Sequence, residues 1–206
     1  MLDRSLLQTQ TENLMPRCPW CGSEPLYVAY HDDEWGVPCR DDSKLFEFII
    51  LETFQAGLSW MTILKKRQNF RKAFSGFDPA KVACFSEKRQ QTLMQDAGII
   101  RNKLKIASTI ANAKAFLRCR EEFGSFSAYF WSWVDHKPIV NTWKSMAKVP
   151  AKTELSEAIA KDMKNRGFSF MGPTVVYSLM QAMGLVNDHL VTCFRHAECG
   201  QHVQYP

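Results

Sequence analysis

No uncharged apolar run in the 206-residue chain approaches the roughly 18 residues needed to cross a membrane, so no span is expected. Internal repeats and low-complexity segments are absent as well. Residues 1–16 are polar and contain no continuous apolar stretch of the secretory kind; they are expected to form a disordered tail. The seven cysteines are an odd number, which fits reduced thiols in a cytoplasmic protein better than a disulfide framework. Charge of one sign is scarce. Lysine and arginine number 26 against 21 acids, a net charge of +5 that permits a polyanionic partner only if the positive side chains cluster.

What is present is ordinary globular material: 46% apolar residues and 23% charged, enough for one domain or two small lobes. Aromatics are plentiful, with six Trp and fourteen Phe. Helix signals dominate. Asp41, Asp42 and Ser43 offer caps to an apolar-periodic run from Lys44 to Ala56, stopped by Gly57. Further helices are expected from Ser59 to Phe74, at Pro79, from Ser86 towards Gly98, from Arg101 to Glu122 and from Phe126 to Val134. Lys137 to Pro150 is a poorly patterned connector, after which Glu154–Arg166 and Pro173–Ala182 flank a short loop at 167–172. Only Leu26 to Tyr30 suggests a strand. The pattern predicts an all-α domain.

Three elements are candidates for chemistry. Leu45, Phe48, Ile49, Glu52 and Ala56 share one helix face, which directs the Glu52 carboxylate where core is expected. A buried acid costs several kcal/mol, roughly, without compensation; an arginine partner, a cap or a functional role would each account for it. Tyr27, Tyr30 and Trp35 bracket His31–Glu34, and Trp60 follows closely behind Glu52, an assembly suited either to covering core or to holding a flat cation. The loop between Gly167 and Gly172, with Lys161, Lys164 and Arg166 beside it, suits an ordinary αα-hairpin or a phosphate-binding one. Near Gly98, Arg101, Lys103 and Lys105 fit phosphate contacts or a solvated basic face equally well.

Metal ligands cluster at both ends. Cys18, Cys21 and His31 lie near the start; His189 and Cys193, at i and i+4 as on one face of a helix turn, lie near the end with His196, Cys199 and His202. Thiolates and imidazoles in such numbers favour structural zinc, which takes four of them. Spacing does not choose the four.

Tyr27-Val-Ala-Tyr-His-Asp-Asp-Glu-Trp-Gly-Val-Pro38, Gln55-Ala-Gly-Leu-Ser-Trp60 and Gly184-Leu-Val-Asn-Asp-His189 together resemble the 3-methyladenine DNA glycosylase I family, and the resemblance continues through Asp96–Arg101 and Phe130–Val134. It spans residues 17–193 as one domain, leaving 1–16 and 194–206 as tails. It implies a helix-hairpin-helix DNA glycosylase fold, with that motif at about 154–184, whose N- and C-terminal segments are joined by one structural Zn2+ on Cys18, His31, His189 and Cys193. It also implies excision of 3-methyladenine from alkylated double-stranded DNA by a monomer in the cytoplasm, associated with the nucleoid when bound to DNA.

The same resemblance carries roles onto individual positions. Glu52 is the base-recognition carboxylate, Tyr30 and Trp60 act beside it at the reacting base, and Trp20 and Tyr27 complete the substrate pocket. Gly57 and Leu58 are expected to enter the duplex, with Gly167, Gly172 and Arg166 on the DNA backbone. No lysine nucleophile is implied, so base release without strand cleavage is expected. Asp188 lies where many hairpin glycosylases carry a catalytic acid but is read here as structural. Two other readings compete with the enzyme: a non-catalytic binder of alkylated DNA, and a zinc-stapled helical interaction module.

Overall fold

A computed structural model describes residues 15–200. Among them ten α-helices follow one another: α1 (Pro25–Asp33), α2 (Asp42–Gln55), α3 (Trp60–Ala73), α4 (Pro79–Ala83), α5 (Glu87–Gln95), α6 (Lys103–Phe123), α7 (Phe126–Ser132), α8 (Glu154–Asn165), α9 (Pro173–Ala182) and α10 (Phe194–Gly200). The expected N-terminal tail, apart from Met15 and Pro16, lies outside the described residues, as does His202.

The helix starts are written in capping side chains. Asp41 accepts from the amides of Ser43 and Lys44, Ser59 from Thr62, and Asn102 from Lys105; Thr153 and Ser156 form a capping box at α8. Helix α2 is buried without interruption from Leu45 to Phe54, and it packs against α3, α6, α7 and α9. A helix covered on all sides belongs at the centre of its domain. Phe46, Phe48 and Phe54 on this helix are fully buried, each contributing about 1.5–3 kcal/mol by leaving water. Two acids, Glu47 and Glu52, are carried into this core with them.

Several local expectations need correction. Leu26 to Tyr30 is helical, not extended. Pro25 occupies the first helical position, where its fixed φ and missing N–H cost nothing. The resulting turn sets Tyr27 and Tyr30 three residues apart on one side, facing Trp20 at ring-centroid distances of 5.1 and 6.3 Å. Aromatic content that suggests a strand here serves a helix whose context decides its form. The extended residues are elsewhere: β1 (Ile139–Val140), inside the poorly patterned connector, pairs in parallel with β2 (Val186–Asn187). Two-residue strands are too short to leave a periodic signal. Finally, the stretch read as a C-terminal tail begins with α10, whose Phe194 amide donates to the Pro16 carbonyl at 3.0 Å.

Candidate active site and metal cluster

Helix α2 delivers Glu52 to the floor of a cavity of about 300 Å3. Trp20, Tyr27, Tyr30 and Trp35 come to its wall from the N-terminal segment, and Trp60 from the first turn of α3. The rings pack on one another: Trp20 meets Trp35 edge-on at 4.9 Å, and Trp60 lies 5.3 Å from Tyr30. Glu52 is 4% exposed and has no hydrogen-bond or ion-pair partner among the described residues. Burial alone pushes its carboxyl up to about 8. Burial, and secondarily Glu52, raises the Tyr30 phenol as well, so that ring stays neutral. The indole N–H groups of Trp20 and Trp60 are buried without partners among the described residues. The cavity is thus lined largely by aromatic rings, with the Glu52 carboxyl as its unpartnered acid.

Five lining residues carry no warning in the sequence. Met146, Val149 and Pro150 close the far wall from the connector, while Ser178 and Gln181 come from α9. The connector is held there by Asp188. This fully buried carboxylate accepts from Asn141 Nδ2, Trp143 Nε1 and Tyr177 OH, each at 2.7 Å, and from Gln181 Nε2 at 2.8 Å.

Behind the aromatic wall, Cys18, His31, His189 and Cys193 bring four ligand atoms within 4.8 Å of one another, all buried. Cys193 Sγ lies 3.5 Å from both His31 Nε2 and His189 Nδ1, and Cys18 Sγ lies 3.6 Å from His189 Nδ1. The far ring nitrogens face acceptors: His31 Nδ1 meets Asp32 Oδ1 at 2.7 Å, and His189 Nε2 meets the Trp35 carbonyl at 2.9 Å. Each far nitrogen must therefore carry the proton, which leaves the near lone pairs for a cation. Arg17 fixes Asp32 in turn through Nε at 2.9 Å and Nη2 at 2.7 Å. The hydrogen bond from the Cys18 thiol holds the Cys193 thiol well below its ordinary value. Such a group can hold a metal ion.

His189 and Cys193 do not share a helical turn, as their spacing suggests. The segment is irregular because long-range acceptors take its amides: Leu190 N–H donates to Cys18 Sγ at 3.4 Å and Val191 N–H to the Trp143 carbonyl at 3.0 Å. Cys21 stays outside the cluster, its thiol turned to the Cys18 carbonyl at 3.2 Å, and His196 faces the Asn141 carbonyl at 2.7 Å.

The remaining predicted residues do not line the pocket. Gly57, at φ 82°, and Leu58, 40% exposed, form a turn directly after α2. Gly172 caps α9 with open space above it, beside the exposed Lys161 and Lys164. Gly167, at φ 95°, turns the chain out of α8. Arg166 is not available in the same way: it donates to Glu122 at 2.7 Å and Asp162 at 2.6 Å and lies over Phe123 and Tyr129. Lys105 departs furthest from expectation. It is 6% exposed, not solvated, because its ammonium caps the end of α2.

A family model described as methyladenine glycosylase matches residues 20–196. DNA-3-methyladenine glycosylase 1 of Escherichia coli K12 is 51% identical over 87% of this chain and 96% of its own length. The Haemophilus influenzae DNA-3-methyladenine glycosylase is 50% identical over 86% and 96%. A crystal structure of 3-methyladenine DNA glycosylase I superposes with a TM-score of 0.85 at 50% identity, over 87% of this chain and 98% of the other. The Staphylococcus aureus 3-methyladenine DNA glycosylase I, solved for the basis of its 3-methyladenine recognition, follows at 0.84 and 35% identity, over 87% and 95%. Joined to a buried acid in an aromatic pocket, these likenesses settle the kinship: the chain belongs to the methyladenine glycosylase family.

Proposed function

We propose that this chain excises 3-methyladenine from alkylated double-stranded DNA, as a DNA glycosylase that initiates base excision repair without cutting the strand. The observation that carries the reading is the unpaired Glu52 carboxyl inside an aromatic cavity. A neutral adenine offers that acid no charge partner. A base methylated at N3 is cationic while attached to the sugar, and its charge stabilises the carboxylate against desolvation. With its carboxyl pushed up to about 8, Glu52 is largely protonated in the free protein at pH 7 and releases that proton as the cationic base enters.

The lesion is flipped out of the duplex first, which costs least for a weakly stacked damaged base. Trp20, Tyr27 and Trp60 then stack around it, with the neutral Tyr30 beside Glu52. The bond between the base nitrogen and C1′ breaks with its electron pair going to the base, which leaves neutral. Water adds to C1′ and gives its proton to solvent. A cationic leaving group makes a strong general acid unnecessary, and Asp188, saturated by four donors, is read as a clamp on the pocket wall. Leu58 on its exposed turn occupies the gap left in the duplex. Gly172, with the open N-terminus of α9 and with Lys161 and Lys164, supports a phosphate, while Gly167 and the ion-paired Arg166 shape the hairpin behind it.

Cys18, His31, His189 and Cys193 are proposed to hold one Zn2+ in a structural role. Tetrahedral bonds of about 2.3 Å to sulfur and about 2.0–2.1 Å to nitrogen would separate neighbouring ligand atoms by roughly 3.3–3.8 Å. Three Cys–His contacts at 3.5–3.6 Å fall in that range, and the full spread of up to 4.8 Å would tighten on binding. With four protein ligands the ion has no open position for substrate. Held there, it would tie the Cys18–His31 segment to the His189–Cys193 segment behind Trp20 and Trp35, and so support the pocket wall.

The test is release of free 3-methyladenine from methylated duplex DNA, with Glu52→Ala as control. Release by the wild type and its loss in a folded Glu52→Ala protein are expected. Binding without release would mark a non-catalytic binder, and no DNA binding at all would favour an interaction module.

A further inference from the structure

The turn that follows α2 has a support in Lys105 for which base recognition has no use. The chain leaves the helix at Ala56 (φ −46°, ψ 115°), so the last carbonyls of α2 have no partner within the helix. Lys105, in the first turn of α6, supplies one: its Nζ donates to the Phe54 carbonyl at 2.9 Å and to the Ala56 carbonyl at 2.6 Å. The start of α6 is itself fixed. Asn102 Oδ1 accepts from the Lys105 amide at 3.1 Å, and Ser108 and Thr109 hydroxyls donate to the Lys105 carbonyl at 2.8 and 2.9 Å.

Among the described residues the partners of this ammonium are the Phe54 and Ala56 carbonyls, and no acid faces it. Its only observed role is to hold two carbonyls, where hydrogen bonds from a cation are strong and the helix dipole favours positive charge. Beyond those carbonyls the chain makes one tight turn, closed by the Leu58 amide on the Gln55 carbonyl at 2.6 Å. That turn raises Leu58, an apolar side chain 40% exposed, into solvent. A loop with an exposed leucine at its tip and a buried cation at its base is held, not loose.

We propose that Lys105 is a positioning residue: by fixing the Phe54 and Ala56 carbonyls, it sets the direction of the Gly57–Leu58 tip relative to Glu52, so that wedge and acceptor stand at one fixed separation. The inference rests on the reading of Leu58 as the side chain that enters the duplex. A lysine that merely staples α6 to α2 would lower stability and affect every ligand alike. A positioning lysine separates the two: the free base still binds, while the base in DNA is excised slowly.

Lys105→Met keeps the aliphatic stem and removes the donor. Single-turnover excision of 3-methyladenine from methylated duplex DNA is expected to fall by about 10- to 100-fold, the scale of a small misplacement. Affinity for free 3-methyladenine, read by tryptophan fluorescence, is expected to stay at the wild-type value. In a Leu58→Ala background Lys105→Met should cost little more, because the wedge it positions is already gone. Lys105→Arg, which retains the charge, should fold and give an intermediate rate even if the Met variant does not. Wild-type excision by Lys105→Met, a parallel loss of free-base affinity, or additive effects with Leu58→Ala would overturn the proposal. If the wild type releases no base, the functional reading fails separately, and amide exchange decides on Lys105: faster exchange at Gly57 and Leu58 in the variant supports it, and equal exchange sinks it.

Discussion

Glu47 and Glu52 lie five positions apart on α2 and are equally buried, at 5% and 4% exposure, yet only one of them has a partner. Glu47 accepts from Arg67 at 2.7 Å and from Arg71 at 2.9 Å, and Arg67 extends the network to Glu34 at 2.7 Å. Glu52 points roughly 140° away around the helix, to the cavity, where nothing cationic faces it. One acid is compensated inside the fold; the other is not.

That difference predicts an unusual dependence of stability on pH. An acid raised from near 4.5 to about 8 by folding keeps its proton in the native state while the unfolded chain loses it. Wild-type stability contributed by this group is therefore full below about pH 4.5 and falls as pH rises towards 8, by a few kcal/mol at roughly 1.4 kcal/mol per pH unit. Glu52→Gln removes the titration. We expect chemical denaturation to find the Gln variant more stable than wild type at pH 8, indistinguishable at pH 4, and unable to excise the base. Equal stability at pH 8 would show that Glu52 is not desolvated.

Asp188 predicts the opposite combination. Its four partners occupy both carboxylate oxygens, and Asp188→Asn turns one of those acceptors into a competing donor. Loss of about 1–3 kcal/mol in unfolding free energy is expected, with excision by the folded variant within a few-fold of wild type. A thousandfold slower reaction in a stable Asp188→Asn protein would make it a catalytic acid instead.

The helices were readable because capping and periodicity are local. Ser59, Asn102 and Thr153 sit where their helices begin, and Gly57 where α2 has ended. Glu52 stood out by the same logic, as the polar member of an apolar face. Whether it had a partner was not readable, since Glu47 has the same local surroundings and finds Arg67 and Arg71 only through the packing of α3 on α2. Met146, Val149 and Pro150 were invisible for a related reason: they reach the pocket through Asn141 and Trp143 on Asp188, contacts that span more than forty residues and follow no period. Lys105 was misread because basic residues in a helix's first turn are ordinarily solvated, and only the unfilled carbonyls of α2 draw this one inside.

Gly36 couples the Cys/His cluster to the pocket wall by close approach. Its φ is 80°, and a Cβ there would lie 2.8 Å from His189 Nε2 and 2.9 Å from His189 Cδ2. The imidazole cannot retreat, because that nitrogen is bonded to the Trp35 carbonyl and the other belongs to the cluster. Gly36→Ala is expected to lose about 1–3 kcal/mol of stability from backbone strain, with the collision adding to it. Measured with a chelator present, the difference should narrow, because part of the damage is to a site already emptied. A variant that melts with wild type in both conditions would rule out the contact.

Removing one member of the Cys18–His31–His189–Cys193 group tests whether a metal links the N-terminal and C-terminal segments. Cys193 touches both imidazoles of the cluster, so Cys193→Ala leaves three ligands, whereas Cys21 and Cys199 lie outside the group. Zinc measured by elemental analysis is expected at about one equivalent in wild type, Cys21→Ala and Cys199→Ala, and near zero in Cys193→Ala. Binding to a preformed site contributes directly to folding, so the metal-depleted variant should melt earlier, and wild type treated with chelator should approach it. Because cysteine must ionise and histidine must be neutral to bind, acid should release the metal and the stability together. Equal zinc in wild type and Cys193→Ala would remove Cys193 from the site. Loss of zinc with no change in melting would leave the cluster intact but deny that the metal fastens Pro16–Trp35 to the C-terminal segment, and the Trp20 wall of the pocket would then need another support.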